Sequence, residues 1–154
     1  MSQEGILQPV GESVGYALKR ATAALRASMD NALRPIGMTV PQYACLEVLR
    51  QRPGLSGSEL ARAVFVSRQA MNLLLKGLED RGLLTRPSTP SYGKALPTEL
   101  TPAGRERLLA ANQALSAVEN RMLAALAPGT HHRLCADLAS IADALSCAAE
   151  PGED

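Results

Sequence analysis

The chain has 154 residues and a formal net charge of +1, with 46% hydrophobic and 20% charged residues, which is typical of a folded soluble domain and not of a disordered chain. No apolar run approaches the roughly 18 residues of a spanning helix, and the N-terminus carries no secretory signal, so we expect a cytoplasmic protein without a membrane partner. Three scattered cysteines and a single pair of adjacent histidines, His131 and His132, argue against a disulfide framework and against a metal site.

Two amphipathic helices are predicted first. Apolar residues recur every three or four positions over residues 10–34, which predicts a long helix that ends before a proline. Gly37 is placed in the following turn. Thr39 is expected to cap the second helix, which carries Pro41 in its first turn and extends to about Gln51.

A helix-turn-helix comes next. The sequence Ser-Gly-Ser-Glu that starts at Ser56 is a capping box and predicts a short helix. A tight apolar turn, residues 64–66, separates this helix from a second one over residues 68–81, which Ser67 caps and Gly82 ends. The predicted core positions of the second helix are Met71, Leu74, Leu75 and Leu78.

A β-hairpin and two further helices complete the predicted elements. Residues 83–85 and 95–100 are expected to form two strands around a loop rich in proline, serine and glycine over residues 86–94. Thr101 caps a long helix that extends to about Leu126. A last helix carries an apolar stripe made of Leu134, Leu138, Ile141 and Leu145.

These elements predict a mainly α (α+β) fold, a winged helix-turn-helix with N- and C-terminal dimerisation helices. The winged part is expected to span residues 38–101 of a single domain that covers 1–154. The apolar stripes of residues 10–34 and 102–147 lie outside the winged part, which cannot cover three amphipathic helices. Two chains can bury these apolar stripes against each other, so we expect a homodimer.

The charge is unevenly distributed along the chain. Residues 1–49 are neutral, residues 50–107 carry a net charge of +5, and residues 108–154 carry −4. A basic middle segment between neutral and acidic ends is expected if the middle segment contacts a polyanion.

The start of the second helix of the helix-turn-helix carries the side chains expected to meet double-stranded DNA. In this motif the helix enters the major groove, where arginine suits guanine and glutamine or asparagine suits adenine. A serine and free amides at the helix start suit a phosphate. The predicted contacts are Ser56, Ser67, Arg68, Gln69, Asn72, Leu73, Lys76, Arg86 and Lys94. Leu73 either meets a thymine methyl group or is buried.

Five short motifs occur in order along the chain: Gly37-Met38-Thr39-Val40-Pro41-Gln42-Tyr43, Ser58-Glu59-Leu60-Ala61, Val66-Ser67-Arg68-Gln69-Ala70-Met71, Leu78-Glu79-Asp80-Arg81-Gly82-Leu83-Leu84, and Leu100-Thr101-Pro102-Ala103-Gly104. Their order and spacing resemble the MarR (multiple antibiotic resistance regulator) family of transcriptional regulators over nearly the whole chain. The wing departs from the family pattern. Lys94 stands where the family commonly has arginine, and Tyr92 stands where its aspartate partner would be. Lysine supplies a point charge and not a guanidinium fork.

The resemblance implies a homodimeric, ligand-responsive repressor that binds a pseudo-palindromic operator. It also implies that a small aromatic or phenolic anion binds between the dimerisation helices and the winged part. The residues suggested for that site are Met38 and Tyr43, near the corner between the first two helices, with Arg20 as a carboxylate partner.

Two other functions stay open at this stage. One is an oxidation-sensing repressor on the same scaffold with Cys45 as the reactive thiol, although its position beside apolar residues favours an inert buried thiol. The other is a winged-helix protein-interaction module without DNA binding. A salt-dependent binding assay with random duplex DNA would distinguish this module from the two DNA-binding functions. The sequence contains no catalytic triad, phosphate loop or metal-binding motif, so neither an enzyme nor a cofactor is predicted.

Overall fold

The structure, a computed structural model, describes residues 9–86 and 97–147. Within these ranges the helices and strands are α1 (Val14–Leu33), α2 (Val40–Gln51), α3 (Gly57–Val64), α4 (Arg68–Asp80), β1 (Leu84–Thr85), β2 (Glu99–Leu100), α5 (Pro102–Ala124) and α6 (His131–Cys147). The chain divides between Val118 and Glu119 into two compact units. The predicted order of elements is confirmed.

The first helix begins later than its apolar pattern suggests. Ser13 is the N-cap of α1 and its hydroxyl accepts a hydrogen bond from the Tyr16 amide, so the residues before it form only a short 3-10 turn, Val10–Glu12. At the other end, a second 3-10 turn leads to Gly37, whose φ of 70° is in the left-handed region that glycine adopts at no steric cost.

Side-chain caps define the starts of α2 and α3. Thr39 and Gln42 form a reciprocal capping box at α2, and Ser56 and Glu59 form one at α3. Each box satisfies amides that a helix start would otherwise leave without a partner.

The hairpin is short within the described residues. β1 and β2 are antiparallel, with Leu84 opposite Leu100 and Thr85 opposite Glu99. Leu83 was predicted to lie in the first strand, but it lies before β1, and its carbonyl accepts a hydrogen bond from the Thr101 amide at 3.2 Å. The Thr101 hydroxyl also donates to the Gly82 carbonyl at 2.6 Å, which ties the start of α5 to the segment before β1.

One aliphatic core holds the first unit together. It contains residues from α1, α2, α3, α4, both strands and the first half of α5, and its largest members are Leu33, Leu46, Leu49, Leu60, Met71, Leu75, Leu78, Leu84 and Leu108. Leu109 directly follows the buried Leu108 on α5 but is 60% exposed. Consecutive helical residues point about 100° apart, and Ala111 takes the core position instead.

The second unit, residues 119–147 as described, has no buried side chain on α6. Leu134, Leu138 and Leu145 are all at least 39% exposed, although they form the apolar stripe of this helix. Within the part of the chain that the structure describes, no helix has both the length and the apolar character needed to cross a bilayer.

Candidate nucleic-acid interface

Ser67 is the N-cap of α4. Ser67 has extended backbone angles, and its hydroxyl accepts a hydrogen bond from the Ala70 amide at 3.0 Å. The remaining first-turn amides and the positive end of the helix dipole point out of the helix, which is the arrangement that binds phosphate oxygens. The sequence predicted this cap correctly.

Two opposite faces of α4 have different surroundings. Met71, Leu75 and Leu78 are fully buried in the core. The residues predicted to contact DNA, which are Ser67, Arg68, Gln69, Asn72, Leu73 and Lys76, are all exposed. Leu73 is 72% exposed, so the alternative that it belongs to the core is wrong. The helix is therefore anchored in the core by one face, and its other face is exposed.

The first turn of α3 lies beside this exposed face. A Cβ atom on Gly57 would be 3.7 Å from the Asn72 side-chain oxygen, so Asn72 approaches the start of α3. Ser56 donates its amide hydrogen to Glu59 at 2.7 Å, and the same bond lowers the pKa of the Glu59 carboxyl. The Ser56 hydroxyl accepts a hydrogen bond from the Glu59 amide at 3.3 Å.

The basic residues of this helix-turn-helix lie in its middle, and its acidic residues lie at its ends, Glu59 in α3 and Glu79 and Asp80 at the end of α4. Between Leu60 and Leu78 the chain carries Arg62, Arg68 and Lys76 and no acidic residue. An exposed segment that carries cations and no carboxylate of its own attracts a polyanion.

Of the two residues predicted to contact DNA from the wing, the structure describes Arg86 but not Lys94. Arg86 forms an ion pair with Glu79, with 2.9 Å between its Nε and a carboxylate oxygen, so its charge is already partly matched. Lys94 and Tyr92 lie outside the described residues. The roles suggested for Arg86 and Lys94 stay predictions.

A cavity of about 390 Å³ opens at the corner between α1 and α2. It is lined by Asp30, Arg34, Gly37, Met38 and Thr39. Of the three residues suggested for an effector, Met38 lines this cavity, while Tyr43 and Arg20 do not. Tyr43 donates its hydroxyl hydrogen to Asn112 at 2.8 Å, and Arg20 is exposed on α1.

Two arginines that are distant in sequence, Arg81 and Arg107, converge on the same corner, and no local sequence pattern indicates them. Arg107 of α5 donates to the Ile36 carbonyl, and Arg81 donates to the Gln42 side chain at 3.4 Å. Both guanidinium groups would come within 4 Å of a Cβ on Gly37. Separations of 39 and 71 residues leave no local periodic signal, so only the folded chain brings these charges together.

A polar network joins α2 to α5 near Tyr43. Asn112 accepts from Tyr43 and donates to Glu47 at 3.5 Å, and Glu47 also accepts from Arg50 at 2.6 Å. The Arg50 hydrogen bond lowers the pKa of Glu47, whereas burial raises the pKa of Tyr43. The Tyr43 hydroxyl is thus held as a neutral donor at physiological pH.

Cys45 lies fully inside the core on α2. Burial raises the pKa of its thiol from 9.0 to about 12, because the thiolate loses its hydration there. A redox-sensing cysteine needs an accessible thiolate, so this environment is unfavourable for the oxidation-sensing alternative.

We expect Cys45 to resist a thiol reagent at pH 8 in the native protein and to react only on unfolding. Because its folded pKa lies above its unfolded value, the buried thiol favours folding fully below about pH 9, and this contribution is lost as the pH rises from 9 to 12. Reagent titration of the wild type and of Cys45→Ala, with and without denaturant, measures this. Rapid native labelling that disappears in Cys45→Ala would contradict it.

The chain is similar in sequence to known transcriptional regulators. A MarR family model matches residues 36–94. The HTH-type transcriptional repressor Rv2887 of Mycobacterium tuberculosis is 45% identical over 113 residues, which cover 73% of this chain and 81% of the relative.

Solved structures agree with the fold. The structure of Rv2887 in complex with DNA matches with a TM-score of 0.71 at 39% identity, over 84% of this chain and 97% of that one. Its complex with salicylic acid matches with a TM-score of 0.68 at 40% identity, over 84% and 96%. The repressor CouR, bound to a 23-mer DNA duplex, matches with a TM-score of 0.79 at 30% identity, over 86% of this chain and 94% of that one.

Proposed function

The chain belongs to the MarR family of transcriptional regulators, and from this premise we propose that it is a homodimeric repressor that binds operator DNA and releases it when an aromatic acid binds. The observation that carries the proposal is the exposed polar and cationic face of α4, which the core anchors from behind. The DNA complexes of Rv2887 and CouR support this function for the same fold.

Each DNA-facing residue is assigned by its position on the helix-turn-helix. Arg68 and Gln69 lie in the first turn of α4, where a recognition helix meets base edges, and Asn72 lies one turn later. Ser56 and Ser67 are assigned to phosphates through their hydroxyl groups. Lys76, Arg86 and Lys94 are proposed to contact the sugar-phosphate backbone of the DNA. Leu73 is proposed to contact a thymine methyl group.

Homodimer formation is proposed for the apolar surfaces that the single chain leaves open. The exposed residues include Val14 and Tyr16 on α1, and Leu134, Leu138 and Leu145 on α6. Large exposed apolar surfaces mark interfaces. Two chains related by a two-fold axis would present two α4 helices to two half-sites of a pseudo-palindrome.

The effector is proposed to be a small aromatic carboxylate. Rv2887 has been crystallised with salicylic acid, and CouR with p-coumaroyl-CoA. In this chain the lining of the corner cavity includes the apolar Met38, the cationic Arg34 and the acidic Asp30, and the guanidinium groups of Arg81 and Arg107 reach the same corner. Arg20, on the predicted dimerisation helix α1, and Tyr43, on α2, remain proposed to contact this ligand. A ligand there can release DNA only if it binds the free form more tightly than the bound form.

The experiment that tests this function has two arms. Selection from a random duplex pool should enrich an inverted repeat whose half-sites lie about 10 base pairs, or a multiple, apart. Adding salicylate should then lower the affinity for the selected duplex, with 2-hydroxybenzyl alcohol as a matched control that keeps the ring and the phenol but lacks the carboxylate. Equal affinity for selected and random duplexes would contradict sequence-specific repression, and no duplex binding at all would favour a protein-interaction module.

A further inference from the structure

Phe65 is the only phenylalanine of the chain, and 94% of it is exposed. It lies in the turn between α3 and α4, two residues before the Ser67 cap. A side chain of this size normally contributes by burying its ring. Here the ring buries almost nothing against the residues that the structure describes.

The backbone of Phe65 is also in an unfavourable conformation. Its φ of 61° and ψ of 41° lie in the left-handed region, and among the described residues it is the one non-glycine with a positive φ. The turn requires this geometry because the Val66 amide donates back to the Ala61 carbonyl at 3.1 Å and so ends α3. Glycine or asparagine would adopt it with less strain.

Phe65 therefore combines two costs, an exposed ring and a strained backbone, for which the fold of the single chain offers no compensation. A residue that breaks local rules in this way is expected at a functional site, where a partner supplies the compensation.

The basic residues on both sides of Phe65 indicate which kind of partner its ring contacts. Phe65 stands between Arg62 and Arg68, in a stretch from Leu60 to Leu78 that has no acidic residue. It is also next to the end of α4 whose amides and Arg68 are assigned to DNA. A polyanion with apolar groups at its surface fits both features, and duplex DNA has such groups in its deoxyribose rings and thymine methyls.

We propose that Phe65 is a DNA-contacting residue whose ring packs against deoxyribose and thymine methyl groups at the edge of the major groove that α4 enters. The inference rests on the proposed DNA-binding function and adds an apolar contact to it. Part of the affinity is then insensitive to salt, unlike that of the cationic contacts.

The test is Phe65→Gly, for which stability and affinity should change in opposite directions. Relief of backbone strain should raise the Tm by roughly 2–4 °C at fixed protein concentration. Loss of the ring should weaken binding to the selected duplex by about tenfold, with an unchanged slope of log affinity against log salt. A purely structural residue would not give a more stable protein that binds DNA less well.

Two further variants separate the ring from the backbone. Phe65→Asn also suits the left-handed conformation and should weaken binding as glycine does, whereas Phe65→Leu keeps apolar contact and should retain most of the affinity. If wild type binds the duplex and Phe65→Gly binds equally well, the inference fails alone. If wild type binds no duplex, the inference fails together with the proposed function. A change in sedimentation without a change in DNA affinity would instead assign Phe65 to a protein contact and overturn the inference.

Discussion

Replacing Gly104 by alanine is expected to destabilise the fold by about 3 kcal/mol or more. Gly104 is buried in the first turn of α5, where the helix crosses the segment before β1. A Cβ atom there would overlap the carbonyl oxygen of Leu83 and lie 3.0 Å from its carbonyl carbon. Both are backbone atoms, so no side-chain rotation relieves the clash. The same joint carries the Thr101 hydrogen bonds to Gly82 and Leu83.

Denaturant unfolding at fixed protein concentration measures this effect, with Gly77→Ala as the matched control. Gly77 lies within α4, and a Cβ atom there would have no neighbour within 4 Å. Its replacement should stabilise the protein by about 0.5–1 kcal/mol through helix propensity. Wild-type stability for Gly104→Ala would mean that α5 does not pack on Leu83 as described.

Replacing Arg68 or Gln69 by alanine is expected to cost about 1–3 kcal/mol of binding to the selected duplex, or roughly 5- to 150-fold in affinity. Both side chains are exposed in the first turn of α4, so their loss should remove the proposed base contacts without disturbing the core. Selectivity should relax at one base pair in each half-site. Lys76→Ala should instead weaken binding to all sequences more evenly, because a phosphate contact carries no sequence information.

Titration of selected and random duplexes at one stated salt concentration separates these effects. Arg121→Ala is the matched control, since it removes an exposed arginine from α5, outside the helix-turn-helix. A selectivity profile for Arg68→Ala identical to that of the wild type would show that this residue does not contact bases.

The features predicted well from sequence are those governed by neighbouring residues. Ser56 and Ser67 cap helices because their hydroxyls reach amides three residues ahead, and Gly82 ends α4 because it adopts a φ of 71°. Such signals depend on a few consecutive residues, so the α3–α4 element and its exposed face could be placed before the structure was seen.

The features that could not be predicted depend on contacts between distant parts of the chain. Arg107 reaches the Ile36 carbonyl across 71 residues, and Gly104 is needed only because Leu83 lies against it. The strain at Phe65 was equally hidden, because a phenylalanine between two valines predicts an apolar turn and not an exposed left-handed residue. The cavity at the α1–α2 corner is a tertiary feature of the same kind.

Sedimentation of the protein alone and with the selected duplex tests the central claim most directly. A homodimeric repressor should sediment as a dimer at micromolar concentration and should bind one duplex with two chains, and salicylate should release the duplex without dissociating the dimer. A folded monomer at that concentration, or a complex of one chain per duplex, would contradict the account.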